Sequence, residues 1–100
     1  MTKLSEKDKA LRLIRGAYTR STITMGQIDA AQPDETKWTE GQQNRAGVES
    51  SRATDITELL AKRYSLTASE VADEMTRGME MGDAYLARKR SSLRGRRLRD

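Results

Sequence analysis

The stretch DITELLAKRYSLTASEVADEMTRGMEMGDAYL, residues 55–86, decides the fold because it holds two helix-start signals on either side of one turn. Asp55 and Glu58 are spaced as a capping box, in which each side chain bonds the backbone amide of the other residue. Thr67 and Glu70 repeat that spacing 12 residues later. The stretch therefore predicts two helices that are joined by a tight turn.

The second of these helices carries an apolar stripe. Its members follow spacings of three and four residues, which is the period of one helix face: Val71, Met75, Met79 and Leu86. With the first helix over about 55–64 and the second over about 68–90, the pattern predicts a helical hairpin. We expect the stripe to be an interface in a homodimer or a tight hetero-complex; the alternative is that Met75 and Met79 belong to the core of the chain.

The N-terminal third of the chain also has a helical period. Its apolar residues again recur at spacings of three, four and seven: Leu11, Ile14, Tyr18, Met25 and Ile28. With Ser5 as a possible N-cap, the pattern predicts a helix over 6–31. Residues 19–25, TRSTITM, contain four β-branched side chains, so a break or a short N-terminal strand stays open there.

Residues 32–53 have few apolar anchors and contain the single proline, Pro33, so they are expected to be a linker, with a short helix from Thr39 as the open alternative. The predicted organisation is one small, mainly α-helical domain over 1–87, followed by an arginine-rich tail over 88–100. The acids of the second hairpin helix are expected to form a solvated face and not a metal site: Glu70, Asp73, Glu74, Glu80 and Asp83.

The tail determines the charge of the chain. Its basic residues are Arg88, Lys89, Arg90, Arg94, Arg96, Arg97 and Arg99, which are seven of the 19 in the chain. Residues 1–87 hold 12 basic and 14 acidic residues, a net charge of −2. A block of like charge at a terminus is typical of an arm that binds a polyanion.

Composition excludes several classes of function. Cysteine and histidine are absent, so we expect no catalytic residue, no metal and no cofactor. Hydrophobic residues make up 35% of the chain and phenylalanine is absent, which favours a homodimer that completes a small core. No apolar run is long enough to cross a membrane, so a cytoplasmic protein without a membrane partner is expected.

The segment ATDITELLAKRYSLTASEVADEMTRGMEMGDAYL resembles the two helices of ribbon–helix–helix DNA-binding proteins, and the resemblance covers about residues 45–87. It implies a dimer whose paired strands enter the major groove, with a phosphate held by the second helix N-terminus at Thr67, Ala68 and Ser69. Residues 44–50, NRAGVES, depart from the family because Gly47 and Glu49 suit a strand poorly. A helix-turn-helix alternative fits less well, since its turn glycine would fall on Thr76.

Two functions are therefore expected from the sequence. The first is a small DNA-binding protein, a regulator or accessory factor, in which Thr67, Ser69 and six basic residues of the tail contact phosphates; RNA is the alternative nucleic acid. The second is a helical adaptor or inhibitor that docks on a partner protein. The slightly acidic body favours the second function, because a dedicated DNA reader usually has a basic body.

Overall fold

Three long helices make up the fold in the computed structural model, which describes the backbone of residues 4–99 and the side chains of residues 4–90. Helix α1 spans Glu6–Ala31, α2 spans Glu40–Arg63 and α3 spans Ala68–Arg99. A short 3-10 turn, Glu35–Lys37, lies between α1 and α2. Because the described residues contain no strand, the prediction of a mainly α-helical fold is confirmed.

Helix α1 is the centre of the arrangement and packs against both other helices, while α2 and α3 make little contact with each other. Contacts along α1 and α3 advance in the same direction, from the Lys7–Glu70 ion pair to the close approach of Thr22 and Gly82, so these helices are parallel. The molecule measures 50 × 37 × 19 Å. Since one helix is about 10–12 Å across, much helix surface in so thin a molecule faces solvent.

Helix α1 confirms the helix predicted over 6–31, and it is continuous through residues 19–25. Ser5 caps it, because its hydroxyl accepts a hydrogen bond from the Asp8 amide at 3.1 Å. The Thr19 hydroxyl donates to the carbonyl of Arg15 at 2.8 Å, so that polar group is satisfied within the helix. Tertiary packing overrides the β-branched composition here, since Thr24 is buried and Thr22 faces α3.

Helix α2 differs from two of the predictions made from the sequence. Residues 40–53 belong to this helix, so the linker predicted over 32–53 is wrong beyond Thr39. The helix starts at a reciprocal capping box, in which the Thr39 hydroxyl accepts from the Gln42 amide at 3.1 Å and the Gln42 side chain accepts from the Thr39 amide at 2.9 Å. Asp55 lies in the middle of α2, so the capping box predicted there does not form.

Small residues explain why the start of α2 was missed. Its buried positions are Ala46, Ala53 and Thr57, and none of them is a bulky apolar residue. The Thr57 hydroxyl donates to the carbonyl of Ala53 at 2.7 Å, so burial leaves no unpaired group there. A helix that packs through such residues gives almost no hydrophobic period in the sequence.

The turn between α2 and α3 is built as predicted. Glu70 and Thr67 bond each other's backbone amides at 3.0 and 3.1 Å, which confirms the second capping box. Ser65 adopts a left-handed φ of 52°, and the Leu66 amide donates to the carbonyl of Ala61 at 2.9 Å, as in a Schellman motif. The expected hairpin differs in one respect, because α2 and α3 each pack on α1 and hardly touch each other.

Two glycines allow α1 and α3 to approach closely. A Cβ atom at Gly78 would lie 2.5 Å from the carbonyl oxygen of Arg15, and one at Gly82 would lie 2.6 Å from the Cβ of Thr22. Gly78, Gly82 and Glu74 are the buried positions of α3 in residues 68–90. The face of α3 that meets α1 therefore combines small residues and one acid with Leu86 of the predicted stripe, whose side chain packs against Gly26.

Candidate functional site

The basic end of α3 is the first candidate site. Arg88, Lys89 and Arg90 are exposed, and the Lys89 ammonium lies 5.7 Å from the centre of the Tyr85 ring. Arg94, Arg96 and Arg97 belong to the helix, but their side chains lie outside the described part of the chain. Between Arg88 and Arg99 the helix advances about 17 Å, so seven basic residues lie within that length of helix.

The N-terminus of α3 is the second site predicted from the sequence, and it already holds a carboxylate. Glu70 accepts a hydrogen bond from the Thr67 amide and forms an ion pair with Lys7 at 2.9 Å. The Lys7 ammonium first, and the Thr67 amide next, lower the pKa of the Glu70 carboxyl. Thr67 and Ser69 are exposed, but a phosphate arriving there would meet the negative charge of Glu70.

The two predicted phosphate contacts do not converge on one site. Thr67 precedes the first residue of α3, and Arg88 lies 21 positions further along the chain. At 1.5 Å per residue, the two are about 30 Å apart along the helix axis. They can contact one extended ligand, but they cannot surround a single phosphate group.

One acid of α3 is buried, which corrects the prediction that all of them form a solvated face. Glu74 is 6% exposed and accepts two hydrogen bonds from Arg15, at 2.6 Å from Nε and 3.0 Å from the terminal nitrogen. These bonds lower the pKa of the Glu74 carboxyl. Sequence reasoning missed the pair because its members are 59 positions apart. The pair links α1 to α3.

Two members of the predicted apolar stripe, Met79 and Leu86, line a groove on one face of the molecule. Val71, Met75 and Leu86 are half-buried, and Met79 is 41% exposed. The groove has a volume of about 530 Å³ and lies between the C-terminal half of α1, the neighbouring part of α3 and the α1–α2 connection. Its apolar lining consists of Tyr18, Met25, Trp38, Met79 and Leu86.

Three acids and one cation also line this groove: Asp29, Glu35, Asp83 and Arg90. Trp38 is held in the groove lining, since its indole nitrogen donates to the carbonyl of Gln32 at 2.7 Å. The groove is thus apolar along its walls and negative at its margin. Sequence reasoning missed Asp29, Glu35 and Trp38 as site residues, although a lone tryptophan in a polar segment was a usable signal.

Two further features, a metal-binding group and a membrane-spanning helix, are not found in the part of the chain that the structure describes. No three acidic side chains there come close enough together to hold a metal ion. None of the described helices is both long enough and apolar enough to span a bilayer.

Comparison with known proteins gives no assignment: no family model, no curated protein and no solved structure matches the chain.

Proposed function

We propose that the chain is a small DNA-binding protein, a regulator or accessory factor, that contacts backbone phosphates through the basic end of α3. One observation carries the proposal. Gly26 faces Leu86, so the end of α1 at Ala31 is level with about position 91 of α3. The helix continues to Arg99, and this extension beyond α1 carries four of the basic residues.

The separation of charge restricts where this chain can contact a nucleic acid. The body over residues 1–87 has a net charge of −2, so attraction for a polyanion is concentrated in residues 88–100, which we call the arm. Arginine side chains on a protruding helix can reach phosphates without bringing the acidic body against the nucleic acid. Such contacts give affinity with little base preference, which suits an accessory factor as well as a regulator.

The resemblance to ribbon–helix–helix proteins adds little support to this proposal. Residues 44–50, where that family has its DNA-contacting strand, are part of α2. Glu70 occupies the end of α3 where the family holds a phosphate. We therefore assign the arm as the nucleic-acid contact and assign no base-reading residue, with Thr67 and Ser69 as secondary contacts at most.

Substitution of arm residues tests the proposal. Arg94, Arg96 and Arg97 are changed together to glutamine, and the control changes the exposed body residues Arg12, Arg20 and Lys62 in the same way. Binding of a fluorescent duplex is measured by anisotropy at about 50 mM salt, where phosphate contacts are strong. The arm variant should lose most of its affinity and the control should keep it. Equal losses in both variants would contradict the assignment.

The groove favours a second candidate function, a helical adaptor that docks on a partner protein. Met79 and Trp38 line an apolar surface that the described residues leave open, and methionine repacks readily against different partners. If the full-length chain binds neither duplex nor single-stranded nucleic acid at about 50 mM salt, nucleic-acid binding is excluded and this second function replaces it.

A further inference from the structure

The groove on α1 and α3 has the composition of a receptor for a basic helix. Its walls are apolar, and Asp29, Glu35 and Asp83 outnumber Arg90 at its margin. A helix that enters such a groove needs apolar side chains for the walls and positive side chains for the acids. Its occupant must therefore be basic and partly apolar.

The chain itself contains a segment of this composition. Residues 91–99, SSLRGRRLR, combine two leucines with four arginines and no acid. We propose that the groove binds residues 91–99 of a second copy of this chain, so that two copies exchange their basic arms. The inference rests on the groove and on charge complementarity, and it does not depend on nucleic-acid binding.

The segment cannot reach the groove of its own chain. One wall of the groove is α3 itself, including Leu86 and Arg90, and α3 runs on without interruption to Arg99. Residue 95 lies about 14 Å beyond Leu86 along the helix axis, and its path leads away from the groove. Only another molecule can place this segment in the groove while α3 stays intact.

A reciprocal exchange closes a two-fold dimer, in which the two α3 helices run antiparallel. With the symmetry axis beside Arg90, positions whose numbers add to about 180 lie level with each other. Asp83 is then level with the second copy's Arg97, and Leu86 with its Arg94. Each groove acquires positive charge near Asp83, and the second copy's Leu98 is level with Gly82, three positions from Met79, which is 41% exposed in the single chain.

The same arginines serve the proposed nucleic-acid contact, so the two uses of the arm exclude each other. The exchanged dimer is the form expected without nucleic acid. Because its interface depends on partly exposed charges, the association should weaken as salt rises.

Charge-swapped variants of the full-length chain test the exchange. The groove variant is Asp29→Lys with Asp83→Lys, and the arm variant is Arg94→Glu with Arg97→Glu. Association is measured by sedimentation equilibrium at micromolar concentration and about 50 mM salt, and circular dichroism verifies that each variant is folded. The control, Glu58→Lys with Asp73→Lys, makes the same charge change at exposed positions outside the groove.

The wild type and the control should dimerise, whereas each variant alone should have its dissociation constant raised at least about a hundredfold by like-charge contacts. A mixture of the two variants should dimerise again, because each lysine-bearing groove meets a glutamate-bearing arm and each native groove meets a native arm. A monomeric wild type overturns the proposal. Variants that still dimerise alone, or a mixture that stays monomeric, overturn it as well, and a persistent dimer would indicate another face, such as the exposed side of α2.

Discussion

The guanidinium of Arg15 donates two hydrogen bonds to the carboxylate of Glu74, at 2.6 and 3.0 Å, and thereby fixes the register between α1 and α3. Arg77 lies 3.9 Å from the same carboxylate. The pair lies one helical turn before Gly78, where the backbones of the two helices approach closely. An acid that is 6% exposed needs such partners, because burial of an unpaired charge is costly.

Replacement of Glu74 by glutamine should lower the free energy of unfolding by about 1.5–3 kcal/mol, since it removes a charge-assisted bidentate contact. Urea unfolding measures the loss. Asp73→Asn is the control, because Asp73 is the exposed neighbour and its change should stay within about 0.5 kcal/mol. Equal effects of the two substitutions would mean that the Arg15 contact does not stabilise the fold.

Stability should fall in acid because of the same pair. The pKa of Glu74 is lowered in the folded chain by its bonds with Arg15, below the value of about 4.3 that an unfolded glutamate has. The contribution is therefore present above about pH 4.3 and is lost as the pH falls through the folded pKa. Thermal unfolding from pH 7 to 3 should show a shallower acid loss in Glu74→Gln than in the wild type. Parallel curves would contradict this assignment.

The close approach of α1 and α3 predicts opposite effects for two glycine substitutions. Gly78→Ala should destabilise the fold by about 1–3 kcal/mol, because the new methyl group meets the backbone of α1 and the Tyr18 side chain. Gly47→Ala should stabilise it by about 0.5–1 kcal/mol, since a Cβ at that exposed position of α2 meets no atom within 4 Å. Calorimetric melting temperatures that move in the same direction would refute this packing.

The two capping boxes predicted from the sequence give a further contrast. Thr67→Ala should cost about 0.5–2 kcal/mol, because Thr67 caps α3. Asp55→Ala should be neutral or slightly stabilising, since Asp55 lies inside α2 and alanine is the better helix former. Denaturant midpoints of both variants measure the difference. A larger loss of stability from Asp55→Ala than from Thr67→Ala would contradict the observed helix boundaries.

Local signals predicted part of this fold. Each of these signals depends on residues only three to seven positions apart: the caps at Ser5 and Thr67, and the apolar spacing along α1. The sequence was therefore sufficient to place the starts of α1 and α3. The first half of α2 was missed because Ala46 and Ala53 bury small surfaces that leave no clear period. Capping boxes are also ambiguous, since Asp55 and Glu58 have the right spacing inside a continuous helix.

The site was less predictable than the helices. The arm was evident from composition alone, since its seven basic residues are consecutive or nearly so. The groove depends on which residues of distant segments meet: Asp29 on α1, Trp38 in the connection and Asp83 on α3. Nothing in local spacing relates these positions. The same holds for Arg15 and Glu74, whose contact exists only once the helices have packed.

The salt dependence of duplex binding tests the central claim, that the basic end of α3 contacts phosphates. Each phosphate contact contributes about −0.9 to the slope of log K against log salt, so five to seven contacts predict a slope of roughly −4 to −6. Arg94→Gln with Arg96→Gln and Arg97→Gln should reduce the magnitude of that slope by about 3. An unchanged slope in this variant, or no duplex binding by the full-length chain at about 50 mM salt, would contradict the account.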